Sequence, residues 1–287
     1  MLCLIWGTTW LAIKISLNEG TPPLLGAGLR FLLAGIVLWG IFFIRRESLP
    51  WDKKAIGIYL QFGLLNFSLS YGITYWATQY IYSNLSAILW AGFPFVIAGI
   101  AHLMLPDDKL TIRKFISILI GTTGVILISI EGQVLGGKNV TLGILAIIIA
   151  VLIAAWPNVY LKKHYRTVNT LQLNTVSQTI AGITLVAASF WLESDRTMIW
   201  SDINIIALVY LALMGSVVTW LIYFWLFSQI SVTQISYVAF FPPVIATIIG
   251  WLILDEKLTN PAIIGALLVL TGALLINFPG KTNDVRA

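Results

Sequence analysis

The sequence is short of charge. Only 10% of its 287 residues are Asp, Glu, Lys or Arg, against about 25% in an ordinary soluble domain. With 59% apolar residues and a mean hydropathy of +0.91, the chain does not read as a water-soluble globule. Disorder is excluded as well, because it needs low hydrophobicity. A single cysteine, Cys3, rules out a disulfide framework. Two histidines, His102 and His164, leave little for a metal site, and no cofactor is implied. No HExxH, GxSxG or intramembrane aspartate pair is present. That weighs against a polytopic membrane enzyme, whose sole candidate centre would be His102 beside Asp107 and Asp108.

What is present is a series of long apolar runs. A membrane helix needs about 20 mostly apolar residues. Ten stretches qualify: 2–18, 22–44, 55–77, 81–105, 112–130, 142–161, 170–192, 203–227, 233–254 and 261–278. The expected fold class is an all-α integral membrane protein with no room for a soluble domain. The net charge of +5 does not point to nucleic acid, because its distribution follows loops. Alternate loops gather Arg45, Arg46, Lys53, Lys54, Lys109, Arg113, Lys114, Lys162, Lys163, Arg166, Lys281 and Arg286, while the others hold Lys138, Arg196 and Lys257. By the positive-inside rule both termini are cytoplasmic. No basic segment precedes the first span, so a cleaved signal peptide is not expected.

The chain repeats itself. Shifted by 148 residues, Phe93–Ile128 aligns without gaps on Phe241–Ile276 with 16 identities in 36 positions. Apolar bias does not explain the shared turn, DDKLT at 107–111 and DEKLT at 255–259. Each copy holds five spans, an odd number, so the second copy should enter the membrane inverted. The expected units are 1–131 and 142–278, followed by a cytoplasmic tail, 279–287. Inverted repeats are a common architecture of secondary transporters, with the substrate at their interface.

These features resemble the drug/metabolite transporter superfamily, EamA type. The likeness is carried by IWGTTWLAIK (5–14), LRFLLAG (29–35), LPDDKLT (105–111) and LILDEKLTNPAIIG (252–265). In the family pattern a glutamate closes the fourth and ninth helices. Glu256 matches it, Asp108 replaces it in the first copy, and Pro106 is an addition. The resemblance implies a ten-helix exporter of small metabolites, by alternating access, in a bacterial-type inner membrane. It leaves amino acids, sugars and drugs open as substrates.

Candidate substrate-binding residues follow from polar groups and aromatics at helical spacing. Asn66, Ser70, Thr74 and Thr78 recur every four residues, with Tyr71, Tyr75 and Trp76 beside them. Polar groups cannot face lipid, so this stripe should face protein or a wet cavity. Trp6, Trp10 and Lys14, then Ser86, Trp90 and Pro94, share that spacing on the first and fourth spans. The later spans add Trp156, Asn158, Trp220, Tyr223, Tyr237 and Phe241, with Pro242 as a kink beside Pro94. The bland alternative for each aromatic is helix packing or the interfacial belt, which suits Trp51, Tyr80, Tyr82, Trp191 and Trp200. Lys14 and Arg30 are the charges within spans, and both lie near enough to an end to snorkel. The fifth and tenth spans carry small residues and read as supports or a homodimer face, leaving monomer and homodimer both open. Thr111 and Thr259 read as caps of the helices that follow them.

No Asp or Glu falls inside a span. Proton-coupled carriers often use such groups as relays, so a facilitator is expected, or coupling through an unusual group such as Lys14. Aromatic walls with a few hydroxyls and amides suit a largely apolar solute with polar ends, and amino acids or related compounds fit best. Sugar or nucleotide-sugar transport is the alternative, although phosphate would call for more basic groups. Single cysteines placed at Lys109 and Lys257 of a cysteine-free variant should label from opposite faces of the membrane. Labelling from one face would overturn the inversion.

Overall fold

The computed structural model describes residues 1–81, 83–129, 139–164, 168–245, 248 and 260–277. The described residues are helical, and no strand occurs among them. A chain in lipid must satisfy its backbone internally, and helices do this within one segment. Among the described residues six helices are long and apolar enough to cross a bilayer: Pro23–Ile44, Lys53–Thr78, Leu85–Met104, Val140–His164, Thr170–Leu192 and Asp202–Phe227. Leu2–Asn18, Val232–Ile245 and Ile263–Leu275 are shorter apolar helices, and Ile112–Ser129 is a further helix. Ile36, Phe43, Leu103 and Phe190 point outward and are largely exposed. A soluble surface would not tolerate so much exposed apolar side chain.

Several of these helices depart from α geometry. Lys53–Thr78 contains a π-helical stretch, Gln61–Ser70, and Asp202–Phe227 contains another, Leu213–Val218. Within each, a serine hydroxyl donates to the carbonyl five residues earlier: Ser68 to Gly63 at 2.6 Å and Ser216 to Leu211 at 3.1 Å. The fourth span is two helices, Ser83–Trp90 and Phe93–Met104, with Pro94 in the first turn of the second. Proline lacks the N–H an interior position would need, and a first turn leaves that group unpaired anyway. After Val232–Ser236 the chain tightens into a 3₁₀ turn, Tyr237–Phe240.

Two helix pairs come close enough for backbones to touch. A Cβ on Gly28 would lie 2.8 Å from Val186 N, and one on Gly182 would lie 2.6 Å from Leu32 N. These contacts join Pro23–Ile44 to Thr170–Leu192. A Cβ on Gly124 would lie 2.5 Å from Gly265 O, and one on Gly272 would lie 2.7 Å from Ser117 O. These join Ile112–Ser129 to Asn260–Asn277. Small residues are what permit such approach in membranes.

Side chains tie the helix ends. Glu193 accepts from Leu24 N at 2.9 Å and Leu25 N at 3.1 Å, capping Pro23–Ile44. At the other end of this pair, Asn169 Nδ2 donates to Glu47 and Gln172 Nε2 donates to Ser48 O. Thr111 caps the helix after it, accepting from Lys114 N at 3.3 Å. Asp108 does something else: buried, it accepts from Thr233 N at 3.0 Å and pairs with Lys114. It thus serves the start of the Val232–Ser236 helix rather than that of its own neighbour. Thr259 and Glu256 lie outside the described residues.

Gly124→Ala should destabilise the protein by about 1–3 kcal/mol through overpacking against backbone. Gly40→Ala, with nothing within 4 Å, should be neutral or slightly stabilising, as expected for a helical glycine. Thermal unfolding in detergent checks both, and equal midpoints for the two variants would refute the close pairing.

Candidate functional site

Six chain segments converge on an internal cavity of about 80 Å³. Trp6, Thr9, Trp10 and Ile13 come from the first helix, Asn66, Tyr71 and Thr74 from the third span, and Ala87, Trp90 and Phe93 from the fourth. The second half of the chain contributes Ala154, Asn158, Trp220, Tyr223, Ile235, Ser236, Ala239 and Pro242. The volume is well under the ~300–1,000 Å³ of ordinary ligand pockets, so this is a narrow slot. Its rings join the two halves. Trp6 meets Trp220 at 5.6 Å, Trp10 meets Trp90 at 6.3 Å, and Tyr71 lies 6.4 Å from Trp90 and 6.3 Å from Trp220. Each such contact adds about 0.5–1.5 kcal/mol beyond area burial.

A hydrogen-bond relay crosses the wall. Asn158 Nδ2 donates to Ala154 O at 2.8 Å and to Asn66 Oδ1 at 3.2 Å. A carbonyl can only accept, so the Ala154 contact fixes which amide atom of Asn158 is nitrogen. Asn158 Oδ1 then accepts from the Tyr223 hydroxyl at 3.0 Å. Asn66 turns its oxygen to Asn158, which leaves its Nδ2 without a partner, and Trp90 Nε1 is also unpaired. The hydroxyls of Thr9, Thr74 and Ser236 donate back to Ile5, Ser70 and Thr233 carbonyls.

Of the residues singled out in the sequence, Trp6, Trp10, Asn66, Tyr71, Thr74, Trp90, Asn158, Trp220 and Tyr223 meet at this cavity. Pro242, expected as a kink, lines it too, and the others sit elsewhere. Lys14 Nζ donates to Thr78 O at 2.8 Å and Ile81 O at 3.1 Å. Ser70 donates to Ala150 O, and Tyr75 accepts from Arg30. Trp76 packs on Tyr80, while Ser86 and Pro94 are buried off the cavity. Trp156 is 43% exposed and donates to Gln61 Oε1. Tyr237 packs on Phe240, and Phe241 follows that turn. Sequence reasoning missed Thr9, Ile13, Ala87, Phe93, Ala154, Ile235, Ser236 and Ala239 as lining residues. Thr9 lies beside the Trp6–Trp10 stripe and was within reach; the alanines carry no signal. His102 is exposed, its Nδ1 accepting from Leu110 N at 3.2 Å, and it does not line the cavity.

Arg30 does not snorkel. It is wholly buried. Its Nε donates to Ser216 Oγ at 2.7 Å, Nη1 to the Tyr75 hydroxyl at 3.2 Å and Nη2 to Gly215 O at 2.7 Å. Its guanidinium carbon lies 5.3 Å from the Tyr71 ring centroid.

An apolar helical bundle around an aromatic slot with a few directed polar groups is a form suited to a membrane carrier. The chain belongs to the EamA-like transporter family, whose model matches residues 1–130 and again 141–278. It is 29% identical over 276 residues to YoaV of Bacillus subtilis, described as an uncharacterized transporter, covering 96% of this chain and 94% of that one. It is 29% identical to YedA of Escherichia coli K12, described as an uncharacterized inner membrane transporter, covering 87% and 79%. A crystal structure of 17% identity superposes with a TM-score of 0.79, covering 96% of this chain and 93% of that chain, and so shares the fold. The protein is an integral membrane transporter.

Asn158→Leu should cost about 1–3 kcal/mol for each group it strands, namely the Tyr223 hydroxyl and Asn66 Oδ1. Trp156→Phe should cost far less, since its bond lies at the exposed face. Detergent unfolding midpoints test this, and an unchanged midpoint for Asn158→Leu would show the relay to be unimportant.

Proposed function

We propose that the protein is a ten-helix carrier of two inverted five-helix repeats that exports amino acids or related compounds by alternating access through the aromatic slot. The observation that carries this reading is that both halves of the chain wall one cavity, each with an aromatic cluster and an asparagine, Asn66 and Asn158. The repeats are taken as 1–131 and 142–278, with 279–287 as a tail. The two segments matched by the family model support that division.

Local chemistry supports the pseudo-symmetry. Lys14 binds the carbonyls of Thr78 and Ile81; Lys162, 148 residues later, binds those of Phe227 at 2.5 Å and Ile230 at 2.6 Å. Ser68 and Ser216, in the two π stretches, are 148 apart as well. In an inverted arrangement Lys14 stands at the outer face and Lys162 at the cytoplasmic face, each closing the end of an equivalent helix. Both termini are then cytoplasmic. No carboxylate lies in a proposed span, which fits facilitated export without catalysis.

Cells overproducing the protein should tolerate a higher dose of at least one compound in a panel of toxic amino-acid analogues and dipeptides. Trp90→Ala should lose most of that tolerance at equal expression. No change for any compound would defeat the amino-acid reading.

A further inference from the structure

We propose that Arg30 sets the charge selectivity of the slot, so that solutes bearing a carboxylate are accepted and purely cationic ones are rejected. The inference rests on reading the cavity as the solute site. It begins with an imbalance. Arginine carries a guanidinium cation; that of Arg30 is fully buried and donates to a serine hydroxyl, a tyrosine hydroxyl and a backbone carbonyl. All three acceptors are neutral. Among the described residues the ion pair found is Lys114–Asp108, well away from Arg30 in the chain, on the Ile112–Ser129 helix and the turn before it. A whole positive charge therefore stands in a medium where charge acts over distance.

That charge borders the slot. Tyr71, whose ring lies 5.3 Å from the guanidinium carbon, lines the cavity. Thr9, which also lines it, meets Arg30 Nη2 across Gly215: a Cβ there would lie 3.5 Å from Thr9 Oγ1 and 3.2 Å from Nη2. The wall itself agrees in sign. Among its groups without a partner, Asn66 Nδ2 and Trp90 Nε1 are N–H donors that call for an acceptor-rich solute.

A merely structural tie does not need this charge. The position 148 residues later holds Gln178, a neutral amide that is equally buried and donates to Asn174 Oδ1. Burying an unpaired cation is costly in a membrane, and a field across the slot is what Arg30 adds over such an amide.

The test uses the full chain in nonionic detergent at neutral pH, with three probes of one shape: phenylacetate, 2-phenylethanol and phenethylamine. Binding is followed by tryptophan fluorescence, since Trp6, Trp10, Trp90 and Trp220 line the slot. Phenylacetate should half-saturate at a concentration roughly tenfold or more below phenethylamine. Arg30→Gln should bring that ratio near one while leaving 2-phenylethanol unchanged, and Arg30→Lys should keep it. Ser216→Asp provides a second route that leaves Arg30 in place: a carboxylate beside Nε should cancel the preference. If Arg30→Gln or Ser216→Asp retains the wild-type ratio, or if wild type binds 2-phenylethanol but shows no anion preference, the charge-selectivity proposal is wrong. If 2-phenylethanol does not bind wild type at all, the cavity is not the solute site, and both readings fall.

Discussion

The bilayer interior supplies no water, so polar groups within it are driven to find partners in the protein. This constraint places most of the hydrogen bonds described above. Helices leave backbone groups unpaired at their ends, and those ends are where the long polar side chains go. Lys14 and Lys162 reach carbonyls at helix C-termini, while Glu193 and Asp108 reach amides at helix N-termini. Each choice also matches the helix dipole, cation to the negative end and anion to the positive end. A π turn is a second place where the regular ladder is broken. Ser68 and Ser216 sit there, and Ser216 together with Gly215 holds Arg30.

Polar groups that have been satisfied in this way are unavailable to a solute, which is why the slot is mostly aromatic. The hydroxyls of Thr9, Thr74 and Ser236 are turned back to their own helices, and the amides of Asn66 and Asn158 are joined across the two halves. What remains facing the cavity is ring surface and a small excess of donors. The glycine-mediated pairs at the periphery serve the opposite purpose. Their backbones are in contact, no lining residue comes from them, and they supply a rigid frame.

The helical membrane fold was legible in the sequence, because long apolar runs have few alternatives, and the family model matches the chain in two segments as the paired DDKLT and DEKLT turns led one to expect. The lining of the cavity was legible where chemistry and helical spacing agreed, as for Trp6, Trp10, Asn66, Thr74 and Trp90. It was less so where the backbone left α geometry. The four-residue stripe Asn66, Ser70, Thr74 and Thr78 is buried throughout, yet it crosses the end of a π stretch, and only Asn66 and Thr74 reach the cavity. Lys14 continues the tryptophan stripe in sequence, but helix carbonyls within reach of its long side chain hold it instead. Arg30 has its partners 45 and 186 residues away, at Tyr75 and Ser216. No local pattern announces such pairings.

The distribution of bonds along the helices bears on how such a slot could open. Strong polar ties stand at the helix ends, whereas the irregular backbone stands beside the cavity. The break between Ser83–Trp90 and Phe93–Met104 brings Trp90 and Phe93 to its wall, and the 3₁₀ turn Tyr237–Phe240 brings Ala239, with Pro242 just beyond. A helix that lacks a continuous ladder bends there at less cost than elsewhere. On the proposed mechanism the fourth and ninth spans are thus hinged at mid-height, one in each half. A slot of about 80 Å³ can widen by bending these two spans while the glycine-packed pairs stay in register. Parting one aromatic pair costs about 0.5–1.5 kcal/mol. That is small enough for a weakly bound solute to offset, since millimolar affinity corresponds to about 4 kcal/mol.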